Sequence, residues 1–186
     1  MEEIQMYLDE AKQLMGKAIS HLKGELAKIR AGKASPSMLD SVMVEYYGTP
    51  TPLNQTASVT TPDARTIFVK PWEKKIITDI ERAIMNSDLG LNPQNDGEQV
   101  IINIPQLTQE RREQLVKQAR AEGENAKVSI RNIRKETNDE LKKLQKEGAS
   151  EDDIHRAEEQ VQKLTDEHSH KVDEILEHKE KDIMTV

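Results

Sequence analysis

The sequence predicts an α+β fold: an elongated three-helix bundle with a small α/β domain inserted between its first and second helices. Three observations carry this reading. Apolar residues recur at alternating steps of three and four in three separate stretches, as in helices that each bury one stripe. Between the first two stretches that spacing disappears, and prolines and glycines punctuate short β-prone runs instead. Hydrophobic residues make up only 35% of the 186 while charged ones reach 33%, which suits a helical body with much exposed surface better than a compact globule.

The first stripe runs Ile4, Leu8, Ala11, Met15, Ala18, Leu22, Leu26, Ile29. After it, Gly32, Pro36, Gly48, Pro50, Pro52, Pro62 and Pro71 separate β-prone runs at 42–47, 57–60 and 66–70. An amphipathic helix is expected over about 73–86, with Ile76, Ile77, Ile80 and Ile84 on its inner face, and a last strand over 99–104 stops at Pro105. Tyr46, Tyr47, Phe68 and Trp72 all fall in this segment and only Tyr7 lies outside it, so residues 34–104 are expected to hold a compact core of their own. The second stripe is Leu115, Ala119, Ala126, Ile130, Ile133, Thr137, Leu141, Leu144, and the third Ile154, Ala157, Val161, Leu164, His168, Val172, Ile175. Gly148 ends the second helix, and Ser150 with Asp153 three residues on resembles a capping box at the start of the third. The third helix is therefore expected to fold back antiparallel on the second. Residues 1–33 and 105–186 make the bundle, and residues 34–104 the insert.

Several function classes fall away. With no cysteine there is no disulfide framework, thiolate metal site or cysteine nucleophile. The acidic start Met1-Glu2-Glu3-Ile4 lacks the basic and apolar runs of a signal peptide, and no segment approaches the roughly 20 apolar residues of a membrane span. A cytoplasmic protein without membrane contact is expected. Ala31-Gly32-Lys33-Ala34 looks like a phosphate loop, but the upstream glycine is missing and Ala34 stands where Ser or Thr is needed. Glu167 and His170 form a Glu-x-x-His pair, yet at about 100° per residue both point away from the apolar stripe, and Asp152 and His155 likewise miss it. His168 lies in the stripe, where a lone histidine is a hydrogen-bonded core residue far more often than a ligand. No catalytic group, metal or cofactor is expected.

The charge is unevenly spread. The chain carries a formal −7, but residues 105–148 hold 11 basic and 8 acidic side chains and residues 149–186 hold 5 and 12. On the second helix Lys117, Arg120, Lys127, Arg131, Arg134, Asn138 and Lys142 fall within about 100° of arc, centred roughly 110° from the apolar stripe. Glu122, Glu136, Glu140 and Glu147 gather on the other shoulder, while Glu113 and Glu124 interrupt the basic row. Guanidinium groups at helical-turn spacing match a ladder of phosphates, so this shoulder is the candidate binding face. The bland reading is a solvated helix with alternating charges, such as Glu136 and Glu140 against Lys143.

Three stretches resemble the ribosome recycling factors of bacteria and organelles: Ile29-Arg30-Ala31-Gly32-Lys33-Ala34-Ser35-Pro36, Val44-Glu45-Tyr46-Tyr47-Gly48-Thr49-Pro50-Thr51-Pro52-Leu53 and Ile130-Arg131-Asn132-Ile133-Arg134. Ser87-Asp88-Leu89-Gly90-Leu91-Asn92-Pro93 and Leu107-Thr108-Gln109-Glu110-Arg111-Arg112 extend the likeness over nearly the whole chain. The resemblance implies an L-shaped, two-domain monomer whose bundle lies on large-subunit rRNA and which, with elongation factor G and GTP, splits the post-termination ribosome. Arg131 and Arg134 match family positions assigned to rRNA contact, and Arg30 matches a basic position near the domain junction. Lys33 stands where the family motif has arginine, which keeps the charge but not the bidentate geometry. The short connections at Gly32, Lys33, Ala34, Ser35 and at Ile104, Pro105 are expected to act as a hinge, with the insert presented to the elongation factor. A helical scaffold or chaperone that docks a partner helix is the alternative reading from a different class.

Overall fold

The computed structural model describes residues 1–185. The chain divides into two compact units, one of residues 1–31 with the chain from Gln109 onward and one of residues 32–108.

The first unit is a bundle of α1 (Glu2–Ala27), α3 (Gln109–Lys146) and α4 (Glu151–Met184). Each helix buries one stripe, at Leu8, Ala11, Met15, Ile19, Leu22 and Leu26 in α1 and at Leu115, Ala119, Ala126, Ile130, Thr137, Leu141 and Leu144 in α3. On α4 the buried stripe is Ile154, Ala157, Val161, Thr165, His168, Val172 and Ile183. Several positions differ from the periodicity reading. Ile19 is buried and Ala18 only half-buried, and Thr165 is buried while Leu164 and Ile175 are half-exposed. Two helices contact each member of the bundle, so the buried arc is wider than one seam, and neighbouring residues share it. Thr165 is accommodated because its hydroxyl donates to the Val161 carbonyl at 2.8 Å. His168 is buried with Nδ1 2.7 Å from the Leu164 carbonyl oxygen.

Gly148, at φ +110°, ends α3, and Ser150 is the N-cap of α4. Its side chain makes no capping hydrogen bond, which corrects the capping-box expectation. Glu151, Asp152 and Asp153 in the first turn supply negative charge at the helix N-terminus instead.

Where α3 meets α4, Gly123 is buried opposite Leu176. A Cβ at Gly123 would run into Leu176 Cδ1 and stand 2.8 Å from Cγ, so the absent side chain is what lets the leucine seat. Gly123→Val is expected to force an off-rotamer leucine or a wider helix spacing, costing about 1–3 kcal/mol, and to lower the melting temperature by roughly 5–10 °C. Helical circular dichroism during heating checks this; an unchanged midpoint would mean that Leu176 swings aside freely.

The second unit contains a hairpin, β1 (Met43–Tyr46) with β2 (Thr49–Pro52), and an antiparallel sheet in the order β3-β4-β6-β5, from β3 (Ala57–Asp63), β4 (Thr66–Pro71), β5 (Pro93–Asn95) and β6 (Val100–Asn103). Helix α2 (Ile77–Met85) follows a 3₁₀ turn, Lys74–Ile76, and buries Ile77, Ile80 and Ile84. Strands β2 and β5 escape sequence reading because each contains proline, which removes a ladder donor and is confined to edges. The core is aliphatic, built on Leu39, Val44, Leu53, Ile67, Ile80, Ile84 and Ile102. The aromatics that suggested it lie at its rim, with Tyr47 and Trp72 about two-thirds exposed at 69% and 66%. Tyr47 (φ +50°) and Gly48 (φ +79°) form the two-residue hairpin turn, whose twist requires positive φ at both positions. Glu73 braces it, accepting from the Tyr46 and Tyr47 hydroxyls at 2.9 Å each; those donors hold its carboxyl below the usual glutamate range.

Candidate nucleic-acid interface

Helix α3 is built to be long. Its 38 residues contain no proline and are dominated by Glu, Gln, Lys, Arg, Leu and Ala, the strong helix formers. Such a helix holds side chains in register over about 1.5 Å per residue, so a charge pattern written in the sequence becomes a fixed row in space. Lys117, Arg120, Arg131 and Lys142 are exposed, and Lys127, Arg134 and Asn138 half-exposed. Arg30, on the other side of the chain's long insertion, is also exposed.

The row is not a bare cationic surface, and α4 borders it. Arg120 donates through Nε to Glu180 Oε1 at 2.6 Å and through Nη2 to Oε2 at 3.3 Å. Lys127 Nζ stands 2.6 Å from Asp173 Oδ1. Arg134 Nη1 donates to Gln162 Oε1 at 3.1 Å, and Gln162 Nε2 passes a bond on to Asp166 at 2.9 Å. Arg120, Lys127 and Arg134 are spaced by seven residues, two helical turns, and so are Glu180, Asp173 and Asp166 on the antiparallel helix. These are the flanking pairs of a helical hairpin. Arg131 reaches along its own helix to Glu124 Oε1 at 2.9 Å, so the residue that seemed only to interrupt the row is a partner within it.

Among the described residues, therefore, Arg134 meets a neutral amide where Arg120, Lys127 and Arg131 meet carboxylates. Asn138, grouped with the row by its angle, keeps Oδ1 buried and without a hydrogen-bond partner; its oxygen faces protein, while the residue as a whole is half-exposed. The α4 partners were not singled out from sequence. Their signal was present as acidic residues repeating at seven, legible only once α3 and α4 are laid antiparallel in the right register. Glu167 and His170, the metal-like pair, are exposed, and His170 Nε2 lies 3.0 Å from Glu174. No described helix is long and apolar enough to cross a membrane.

A bundle of this kind, with an α/β insert and a basic row along its middle helix, can be compared with known families. The model of one family, described as ribosome recycling factor, matches residues 22–184. The chain belongs to the ribosome recycling factor family. The ribosome-recycling factors of Amoebophilus asiaticus and Cytophaga hutchinsonii are each 59% identical to it over 186 residues, covering all of both chains. That of Bacillus licheniformis is 53% identical over 180 residues, 96% of this chain and 97% of the relative. Among solved structures, a solution structure of the ribosome recycling factor has a TM-score of 0.76 at 36% identity and covers both chains in full. A second, the T. thermophilus ribosome recycling factor, was described with E. coli elongation factor G bound to the E. coli post-termination complex. It is 47% identical over 98% of this chain and 99% of its own, with a TM-score of 0.61. Ribosome recycling factors are translation factors and not enzymes, and this chain is one of them.

Proposed function

We propose that this protein binds the post-termination ribosome through large-subunit rRNA and, with elongation factor G and GTP, splits it into subunits for a new round of initiation. The observation that carries the reading is the relative described on the post-termination complex together with elongation factor G, 47% identical over 98% of this chain. The basic row of α3, with Arg131 and Arg134 at its centre, is the proposed rRNA-binding face, and Arg30 a further contact near the end of α1. The protein acts as a cytoplasmic monomer and needs no metal or cofactor of its own.

The connections between the units are proposed as the hinge. A Cβ on Gly32, at φ +72°, would stand 2.6 Å from Leu107 Cγ, so the two connecting segments touch at a position where only glycine fits without strain. The Ala34 N–H donates to the Ala64 carbonyl at 2.7 Å, and the Ile104 N–H to the Arg65 carbonyl at 2.7 Å. These bonds tie Ala34 and Ile104 to the β3–β4 turn, which favours rotation at Gly32 and Lys33 and on the far side of Pro105. Ser35 accepts from the Ser37 N–H and caps the short helix that follows.

Sedimentation with isolated large subunits across a salt series tests the RNA reading. Counterion release predicts that log affinity falls steeply and linearly with log salt, by roughly 0.7–0.9 per phosphate neutralised. A shallow dependence would mean apolar docking to a protein instead.

A further inference from the structure

The contacts between α3 and α4 suggest that this factor carries its own competitors for the phosphodiester backbone. Arg120 and Lys127 are two of the seven side chains placed on the RNA-binding face, and both are already engaged by carboxylates. Glu180 occupies the Nε and Nη2 edge of Arg120, two of the five N–H donors of a guanidinium. That edge is one of the two a phosphate can grip bidentately. Asp173 sits at 2.6 Å from Lys127, the distance of a charge-assisted contact. Neither pair is sealed from water: side-chain exposure is 65% and 28% for Arg120 and Glu180, and 29% and 58% for Lys127 and Asp173. Exposed pairs of this kind are weak, so an arriving phosphate can displace them, yet displacement is not free.

We propose that Asp173 and Glu180 are affinity-setting residues, intramolecular stand-ins for RNA phosphate that hold Lys127 and Arg120 in the free protein and reclaim them as the factor leaves. The inference rests on the rRNA reading given above. Docking exchanges two carboxylate contacts for two phosphate contacts, so these cations add register and direction while adding little net affinity. Arg134, whose partner is the neutral Gln162 amide, has no carboxylate to give up and contributes its full charge. The grip is thereby strongest at Arg134 and moderated at Arg120 and Lys127. A protein that must leave each ribosome after use gains from such a limit, because release rate rises as affinity falls at similar association rate.

The test uses the full-length chain with Asp173→Asn and Glu180→Gln, singly and together, and isolated large ribosomal subunits. Both changes keep shape and remove charge, at an exposed position in Asp173 and a half-exposed one in Glu180. The double variant is expected to bind roughly three- to tenfold more tightly at low salt and to dissociate correspondingly more slowly, with each single variant in between. Glu136→Gln with Glu147→Gln, which changes net charge by the same amount on the other shoulder, should leave affinity within about twofold. Unchanged or weaker binding by the double variant, while Arg131→Glu with Arg134→Glu abolishes binding, overturns the competitor role and leaves the rRNA reading standing. An equal gain from the control pair also overturns it, since bulk charge then explains the effect. Normal binding by the arginine reversals removes both readings together.

Discussion

Replacing Arg131 and Arg134 together with glutamate should lower affinity for large subunits by at least about a hundredfold. Charge-assisted hydrogen bonds contribute about 1.5–3 kcal/mol each, and reversal adds repulsion to the loss. The salt dependence should flatten by roughly two phosphate contacts' worth. The fold should survive: Arg131 has a side-chain exposure of 53%, its partner Glu124 is equally surface-bound, and Arg134 is half-exposed and hydrogen-bonds the exposed Gln162. Helical circular dichroism should therefore be unchanged and melting shifted by no more than ~3 °C. Glu136→Lys on the opposite shoulder is the control and should not weaken binding. Sedimentation of both variants with large subunits decides the matter, and full binding by the double reversal would remove α3 from the interface.

A disulfide joining one cysteine placed in each unit should abolish splitting and spare binding. The natural chain has no cysteine, so the bridge has no competing thiol, and the basic row lies wholly within the bundle. If elongation factor G does its work by moving the insert against a body held on rRNA, fixing the angle blocks that step. Reduction should restore splitting in the same sample, which separates the lock from damage by mutation. Full splitting by the oxidised protein would leave the insert as a passive spacer and refute the hinge.

How legible all this was in the sequence depended on whether the governing contact was local. The stripes at Leu8 to Leu26 and Ile130 to Leu144 were legible because helical periodicity is a property of one segment. Ile19 replacing Ala18 in the buried set was not, since which side of a stripe is covered depends on where the third helix lies. The insert's core was located from Tyr46, Tyr47, Phe68 and Trp72, and the inner face of its helix, Ile76, Ile77, Ile80 and Ile84, was legible from periodicity; that Val44, Ile67 and Ile102 fill the core while the aromatics stay at the rim was not, because composition locates a domain without showing which strand side chains turn inward. The basic row was legible as angles on a single wheel. Its pairing with Asp173 and Glu180 required knowing the offset between two helices whose partners lie far apart in the chain, 28 residues for Arg134 with Gln162 and 60 for Arg120 with Glu180, and no single-helix signal carries that offset.

That offset has its own safeguard. The pairs of Arg120 with Glu180 and Lys127 with Asp173 repeat every seven residues, so sliding α4 by two turns would bring a cation opposite an acid again, and electrostatics alone tolerates the slip. The notch at Gly123 does not repeat. Displaced by seven residues, Leu176 would face Val116 or Ile130, both buried, and meet a side chain where it now meets none. One missing side chain thus works as an index mark: it makes a periodic zipper aperiodic and selects a single alignment from several that the charges accept.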